Sequence, residues 1–262
     1  MHRFLVATAE LTAPSPRLSA EALRHLKVLR LKAGETVELF DGAGRSRLFA
    51  YRGMAASGPV LEAAGEPACL PPPEFSLTLF ACVTKGSRWD WTLEKATELG
   101  VTRIVPVISE RTIVRLPPDE RAAKRERWQR IAEEAARQSE AKWLPEISAA
   151  VDFPTALAEA AKRVTFVGAI LRDSRRAPSL ARAVRERLAL SAARDLAVFV
   201  GPEGDFAPDE LDALMRVAVP VSLGAAILRA ETAAIYALSA VKAMVEDEGP
   251  SAAPCALDAD IV

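Results

Sequence analysis

The sequence is poor in the residues from which metal centres and histidine-driven catalysis are built. Its 262 residues include two histidines, His2 and His25, and three cysteines, Cys69, Cys82 and Cys255, none of them in CxxC spacing. A zinc site of the usual cysteine and histidine kind lacks ligands, and a serine triad would depend on one of those two imidazoles. No metal is therefore expected. The odd cysteine count, without an apolar leader at the start, argues for a reducing compartment and hence a cytoplasmic location. No run approaches the roughly 20 apolar residues of a membrane span, so no membrane role is expected. Neither sign of charge dominates, since 34 bases against 35 acids give a formal charge of −1. The acids between Glu246 and Val262, unopposed by any base, more than account for that value, which leaves the remainder mildly basic. What is plentiful is apolar: 50% of the chain is hydrophobic, enough for a substantial core.

Two patterns of periodicity divide the chain. Residues 3 to 66 read as short strands, Phe4 to Val6, Glu35 to Phe40, Ser46 to Arg52 and Val60 to Ala63, separated by turns and interrupted by a helix over Glu21 to Leu31. A small β-barrel over residues 1–70 fits. Pro71-Pro72-Pro73 is a stiff segment that continues neither helix nor strand ladder, and it marks the boundary. Beyond it, apolar strand runs alternate with helices. Leu77 to Thr84, Val101 to Ile108, Val164 to Leu171, Leu196 to Val200 and Val219 to Leu223 read as strands. Arg88 to Leu99, Asp119 to about Ala141, Phe153 to Lys162, Ser179 to Leu190, Pro208 to Val217 and Thr232 to Val245 read as helices. The first of these helices is opened by the capping-box spacing Ser87-Arg-Trp-Asp90 and stopped by Gly100. Such alternation implies an α/β domain over 74–248, a parallel sheet with helices on both faces. Residues 249–262 read as an acidic disordered tail.

Candidate chemistry sits where a strand hands over to a helix. Gly201-Pro202-Glu203-Gly204 combines close backbone approach with a projecting carboxylate, although an ordinary turn accounts for the same residues. Leu223-Gly224-Ala-Ala-Ile227-Leu228-Arg229-Ala-Glu231 sets an apolar wall beside a charge pair, which suits a planar heterocycle with a polar edge. A plain helix start, with Glu231 on the dipole and Arg229 paired to it, explains it equally. From Arg103 to Arg130, eight bases face four acids, a phosphate-binding surface or a solvated helix face. Trp89, Trp128 and Cys82 read as packing residues. His25, beside Arg24 and Lys27, either touches phosphate or is structural.

Together these segments resemble the RsmE-type ribosomal small-subunit RNA methyltransferases, over nearly the whole chain. The resemblance is carried in order by Arg3-Phe4, His25-Leu-Lys-Val-Leu-Arg30, Leu39-Phe-Asp-Gly42, Lys85-Gly86, Glu94-Lys-Ala-Thr-Glu-Leu-Gly-Val101, Ser109-Glu-Arg111, Arg127-Trp128, Gln138-Ser139, Gly201-Pro-Glu-Gly204, Leu223-Gly224 and Ile227-Leu-Arg-Ala-Glu-Thr232. It implies a PUA-like barrel followed by a SPOUT methyltransferase domain with a C-terminal trefoil knot, and a homodimer. It implies S-adenosyl-L-methionine as cofactor, held at Gly201, Pro202, Glu203, Gly204, Leu223, Gly224, Ile227 and Leu228. The substrate it implies is a uridine, methylated at N3, of 16S ribosomal RNA within the small subunit. The RNA would lie against Arg24, His25, Lys27, Arg30, Lys85, Arg111, Arg127 and Gln138. Arg229 is the candidate to stabilise the uracil anion, and Glu203 or Glu231 to take the N3 proton. The alternatives are a non-catalytic RNA-binding relative and a SPOUT enzyme acting on another RNA such as tRNA. The chain departs from the family pattern at Asp205 in place of a glycine and at Ala225-Ala226 in place of Pro-Arg. It departs again at Ala207 in place of a capping Ser or Thr, and at Glu140-Ala141 in place of Gly-Arg, with Lys142 nearby to restore the charge.

Overall fold

The computed structural model describes residues 1–56, 58–168, 177–190 and 194–246, so the expected acidic tail at 249–262 lies outside the described residues. Among the described residues the chain forms two compact units, one of Met1–Pro72 with Ala136–Leu144, the other of Pro73–Ala135 with residues 145–246.

In the first unit, β1 (His2–Leu5), α1 (Ala20–Leu29), β2 (Thr36–Phe40), β3 (Arg45–Ala55), β4 (Gly58–Ala63) and β5 (Ala68–Cys69) follow in chain order. The five strands form one sheet in which β1 runs parallel to β2 and the other pairs are antiparallel. Ser19 starts α1 by accepting the Ala22 amide at 3.1 Å, and Leu26 of that helix closes over Phe4, Val37, Leu39 and Phe49. A charge sits inside this unit. Arg3, 4% exposed, is bound to the Glu38 carboxylate, donates to the carbonyls of Ala136 (2.8 Å) and Ala141 (3.1 Å), and lies 4.1 Å above the Phe40 ring. Lys142 pairs with the other Glu38 oxygen, so its charge is spent inside the unit instead of replacing a surface arginine.

The second unit contains β6 (Ser76–Cys82), α2 (Ser87–Glu98), β7 (Arg103–Ile108), α3 (Arg121–Gln138, whose last three residues belong to the first unit), β8 (Glu146–Ile147), β9 (Val151–Asp152) and α4 (Phe153–Ala160). It continues with β10 (Val164–Gly168), α5 (Leu180–Leu190), β11 (Asp195–Val200), α6 (Pro208–Val217), β12 (Val219–Val221) and α7 (Ala230–Glu246). All seven strands pair in parallel, in the order β12-β10-β11-β6-β7-β8 with β9 also on β7. One face of the sheet buries Phe80, Val105, Phe199 and Phe206 with α4 and α6. The other carries α2, α5 and α7; the alanines of α7 that are buried, Ala233, Ala234 and Ala237, let that helix come close to β11 and β6.

Several boundaries differ from those the sequence suggests. The Ser87–Asp90 capping box does not form: Gly86, at φ +67°, is the N-cap, and Asp90 is drawn instead to the Arg127 guanidinium, a stronger charge-assisted partner. The long helix begins as a 3-10 turn at Pro118–Glu120 and ends at Gln138, because Glu140 adopts φ +58°, the left-handed region that helix geometry forbids. β12 stops at Val221, and α7 starts two residues early. Strand β10 stops at Gly168, and the rest of the expected run lies outside the described residues.

Burial works to raise the Glu38 pKa, but hydrogen bonds from Lys142, Ser46 and Arg3 outweigh it and hold the carboxyl below its ordinary 4.5. A lowered native value means the network's stabilisation is complete above about pH 4.5 and is lost as pH falls through the native value. Glu38→Gln, which leaves two cations without their anion, should therefore cost about 3 kcal/mol at neutral pH. Urea melts of both proteins at descending pH should show that gap narrowing only below pH 4.5.

Candidate active site

Parallel strands all end on one side of their sheet, and there the connecting loops gather. Here the loops after β6, β7 and β11 meet. Arg88 of α2 donates to the Glu203 carboxylate at 3.1 Å, and Arg111, from the loop after β7, donates to the Gly204 carbonyl at 3.1 Å. Glu210 of α6 joins two chain segments: one oxygen accepts the Glu110 amide at 2.9 Å, the other the Ala207 amide at 3.1 Å. The second contact is half of a capping box and partly makes good the missing Ser or Thr, since Ala207 has no side-chain acceptor of its own.

The glycines of this loop have separate reasons. A Cβ on Gly201 would stand 2.9 Å from the Phe206 ring, so its absence lets that core aromatic pack. Gly204 has room for a methyl group, which would lie 3.8 Å from the Arg111 stem. Asp205, where the family pattern has glycine, adopts φ +57°, and its Oδ1 accepts the Phe206 amide at 2.9 Å. Aspartate is one of the few side chains that tolerates this region, because of such local bonds.

The second candidate segment, after β12, borders a cleft of about 120 Å³ lined by Gly168, Leu223, Gly224, Ile227, Leu228 and Ala233 among others. That is less than the ~300–1,000 Å³ of a typical ligand pocket, so it accommodates part of a nucleoside-sized molecule. Gly224, at φ +121°, requires glycine, and its missing side chain faces open space. Ile227 is 78% exposed. At the head of α7, Glu231 Oε2 is buried and has no hydrogen-bond partner among the described residues, and the Thr84 hydroxyl beyond β6 is in the same condition. Buried polar atoms without partners are uncommon and call for a missing one. Arg229 is exposed and is not paired with Glu231, which corrects the expected ion pair: the guanidinium stays in water while the carboxylate turns inward.

Of the basic candidates, Lys85 is exposed in the loop before α2, and Arg127 is held by Asp90 at 3.0 Å. In the first unit, Arg24 and Lys27 lie exposed on α1, Arg30 ends that helix at φ +52°, and Gln138 is exposed. His25 is half-buried edge-on to Phe4 at 5.9 Å; burial first, and then Arg137, lowers its pKa from the ordinary 6.5, which disfavours the charged form. Cys82 is buried, its thiol pushed up to about 12 by desolvation, and it has no nucleophilic role.

Arg88 and Glu210 have no place in the sequence reading. Glu210 was within reach of it, three residues beyond the N-cap Ala207. For Arg88, 115 residues from its partner, nothing local signals the contact.

Residues 71–242 match a family model described as an RNA methyltransferase domain, and residues 18–52 one described as an RNA methyltransferase PUA domain. A ribosomal RNA small subunit methyltransferase E of Synechocystis is 34% identical over 94% of this chain and 78% of its own. The chain belongs to the ribosomal RNA small subunit methyltransferase E family. A Bacillus subtilis member of this family is 29% identical over 89% of this chain and 92% of its own. The solved structure of a Neisseria gonorrhoeae member bound to S-adenosyl methionine superposes with a TM-score of 0.76 at 28% identity, covering 93% of this chain and 98% of that one. A methyltransferase of Legionella pneumophila in complex with bound S-adenosyl methionine gives 0.74 at 26% identity, over 92% and 96%.

Because Asp205 holds a left-handed backbone with help from its own carboxylate, Asp205→Ala should destabilise the protein by about 1 kcal/mol, whereas Asp205→Gly should change stability by less than about 0.5 kcal/mol. Thermal melts of the two variants check the ordering.

Proposed function

We propose that this family member methylates N3 of a uridine in 16S ribosomal RNA of the small subunit, with S-adenosyl-L-methionine as methyl donor. The buried Glu231 carboxylate oxygen, without a partner among the described residues and three residues beyond the cleft-lining segment 223–228, carries this reading, because it is an acceptor left unsatisfied at the head of the helix that follows the cleft. When bound, S-adenosyl-L-methionine supplies an electrophilic methyl group. The residues of this chain fit it: Gly201, Pro202, Glu203 and Gly204 on one loop, Leu223, Gly224, Ile227 and Leu228 on the other, offering backbone polar groups and an apolar wall.

The rest of the chemistry falls to side chains. Uracil N3 is weakly acidic, so transfer needs the proton removed and the developing anion stabilised. Arg229, exposed and without a partner among the described residues, is available for the anion. Between the two candidate bases, Glu203 is engaged by Arg88 while Glu231 has a free oxygen, which favours Glu231 as proton acceptor. RNA is taken by the domain at 1–70 through Arg24, Lys27 and Arg30, with His25, Lys85, Arg127 and Gln138 also contributing. The catalytic domain spans 74–248. The protein works in the cytoplasm as a homodimer, a state favoured by exposed Ile227 and Tyr236 (49% exposed). The route from β12 at the sheet edge back to α7 against β11 and β6 is consistent with a trefoil knot.

With labelled cofactor, methyl transfer should appear on the small-subunit RNA and not on tRNA, with 3-methyluridine as product. Arg229→Ala should lower the single-turnover rate about 100-fold while leaving cofactor affinity nearly unchanged. An undiminished rate, or methylated tRNA alone, would sink the assignment. Charge reversal at Arg24, Lys27 and Arg30 should lower the salt dependence of RNA binding by about two to three counterions without altering cofactor affinity.

A further inference from the structure

Arg111 belongs to a run of bases whose simplest use is to hold phosphate. Its surroundings argue for another task. The turn that carries it is built from buried parts: Ser109 and Thr112, 3% and 1% exposed, share a 2.9 Å hydroxyl contact, and the Ser109 amide donates to the Thr112 hydroxyl at 2.9 Å. The next amide, of Glu110, is fixed by Glu210 at 2.9 Å. A side chain mounted on so constrained a turn has little freedom in where it starts. From there the Arg111 guanidinium donates to the Gly204 carbonyl at 3.1 Å, and its stem lies alongside Gly204. The peptide plane between Gly204 and Asp205 is then held from both sides, since the Asp205 amide donates to the Pro202 carbonyl at 3.0 Å. That plane sets the left-handed turn at Asp205, where a residue with a side chain is less free than glycine to find the turn unaided.

We propose that Arg111 is a positioning residue, which sets the Gly201–Gly204 loop for the methyl donor by holding the Gly204 carbonyl, and is not a ligand of RNA phosphate. The inference rests on the reading of that loop as a cofactor-binding segment.

Arg111→Met keeps the stem against Gly204 and removes every donor; Arg111→Lys restores one donor, which is all a single carbonyl requires. Calorimetry of the full chain with S-adenosyl-L-methionine should show affinity roughly tenfold weaker for Arg111→Met, the scale of one charged hydrogen bond, and recovery to within about threefold for Arg111→Lys. The melting temperature should move by less than about 4 °C, and the salt dependence of binding to small-subunit ribosomal RNA should stay at the parent value. Unchanged cofactor affinity in Arg111→Met, with a salt slope reduced by about one counterion, would make Arg111 a phosphate ligand and overturn the proposal. Gly204→Val separates the two levels. If it binds cofactor like the parent, the loop reading fails and takes this inference with it; if it binds weakly while Arg111→Met binds normally, only the role of Arg111 is wrong.

Discussion

The parallel pairing of β6, β7, β10, β11 and β12 is the constraint on which the candidate site depends. Parallel neighbours cannot be joined by a tight turn, so every strand must return by a crossover and every strand of the set ends on the same side. Loops that are distant in sequence are thereby delivered to one edge. The Gly201 loop meets the turn at Ser109–Thr112 and the start of α2 because β11, β6 and β7 lie side by side in register, Val200 beside Ala81 and Cys82 beside Val107. Without that register Arg88 and Arg111 could not reach Glu203 and Gly204.

Charge is handled differently in the two units. In the first, Glu38 is almost fully buried between Arg3 and Lys142, and removing one member would leave an uncompensated ion out of water. In the second, the pairs at the strand ends are partly exposed: the Arg88 and Glu203 side chains keep 48% and 26% of their surface. Such pairs add little to stability, and their use is to restrict where a loop sits. Arg229 stands outside both arrangements. It is exposed, whereas the Glu231 carboxylate two residues on is turned inward, with one oxygen unsatisfied among the described residues.

The departures from the family pattern are absorbed locally. Asp205 and Glu140 both adopt the left-handed backbone that favours glycine, and Asp205 offsets the cost with its own hydrogen bond. Ala207 gives up a cap, which Glu210 partly restores from within the helix. Ala225 and Ala226 lie exposed beside Gly224, where a change of side chain leaves the core untouched.

The sequence by itself determined the alternation of strand and helix, the parallel sheet it implies, and the two strand-to-helix segments at Gly201 and Leu223, because hydrophobic period and turn residues are local properties of the chain. It also determined the family, through the order of many short motifs. Only the tertiary structure decided which charges are spent. Arg127 goes to Asp90, Lys142 to Glu38 and Arg111 to a carbonyl 93 residues away, while Arg229 is exposed with no partner among the described residues. Helix ends at Gly86 and Glu140 were decided there too, by backbone conformations that composition does not reveal. The physical reason is the same throughout: a charged side chain takes the best partner that folding brings within 3 Å or so, and that partner is chosen by strand register, not by neighbours in sequence.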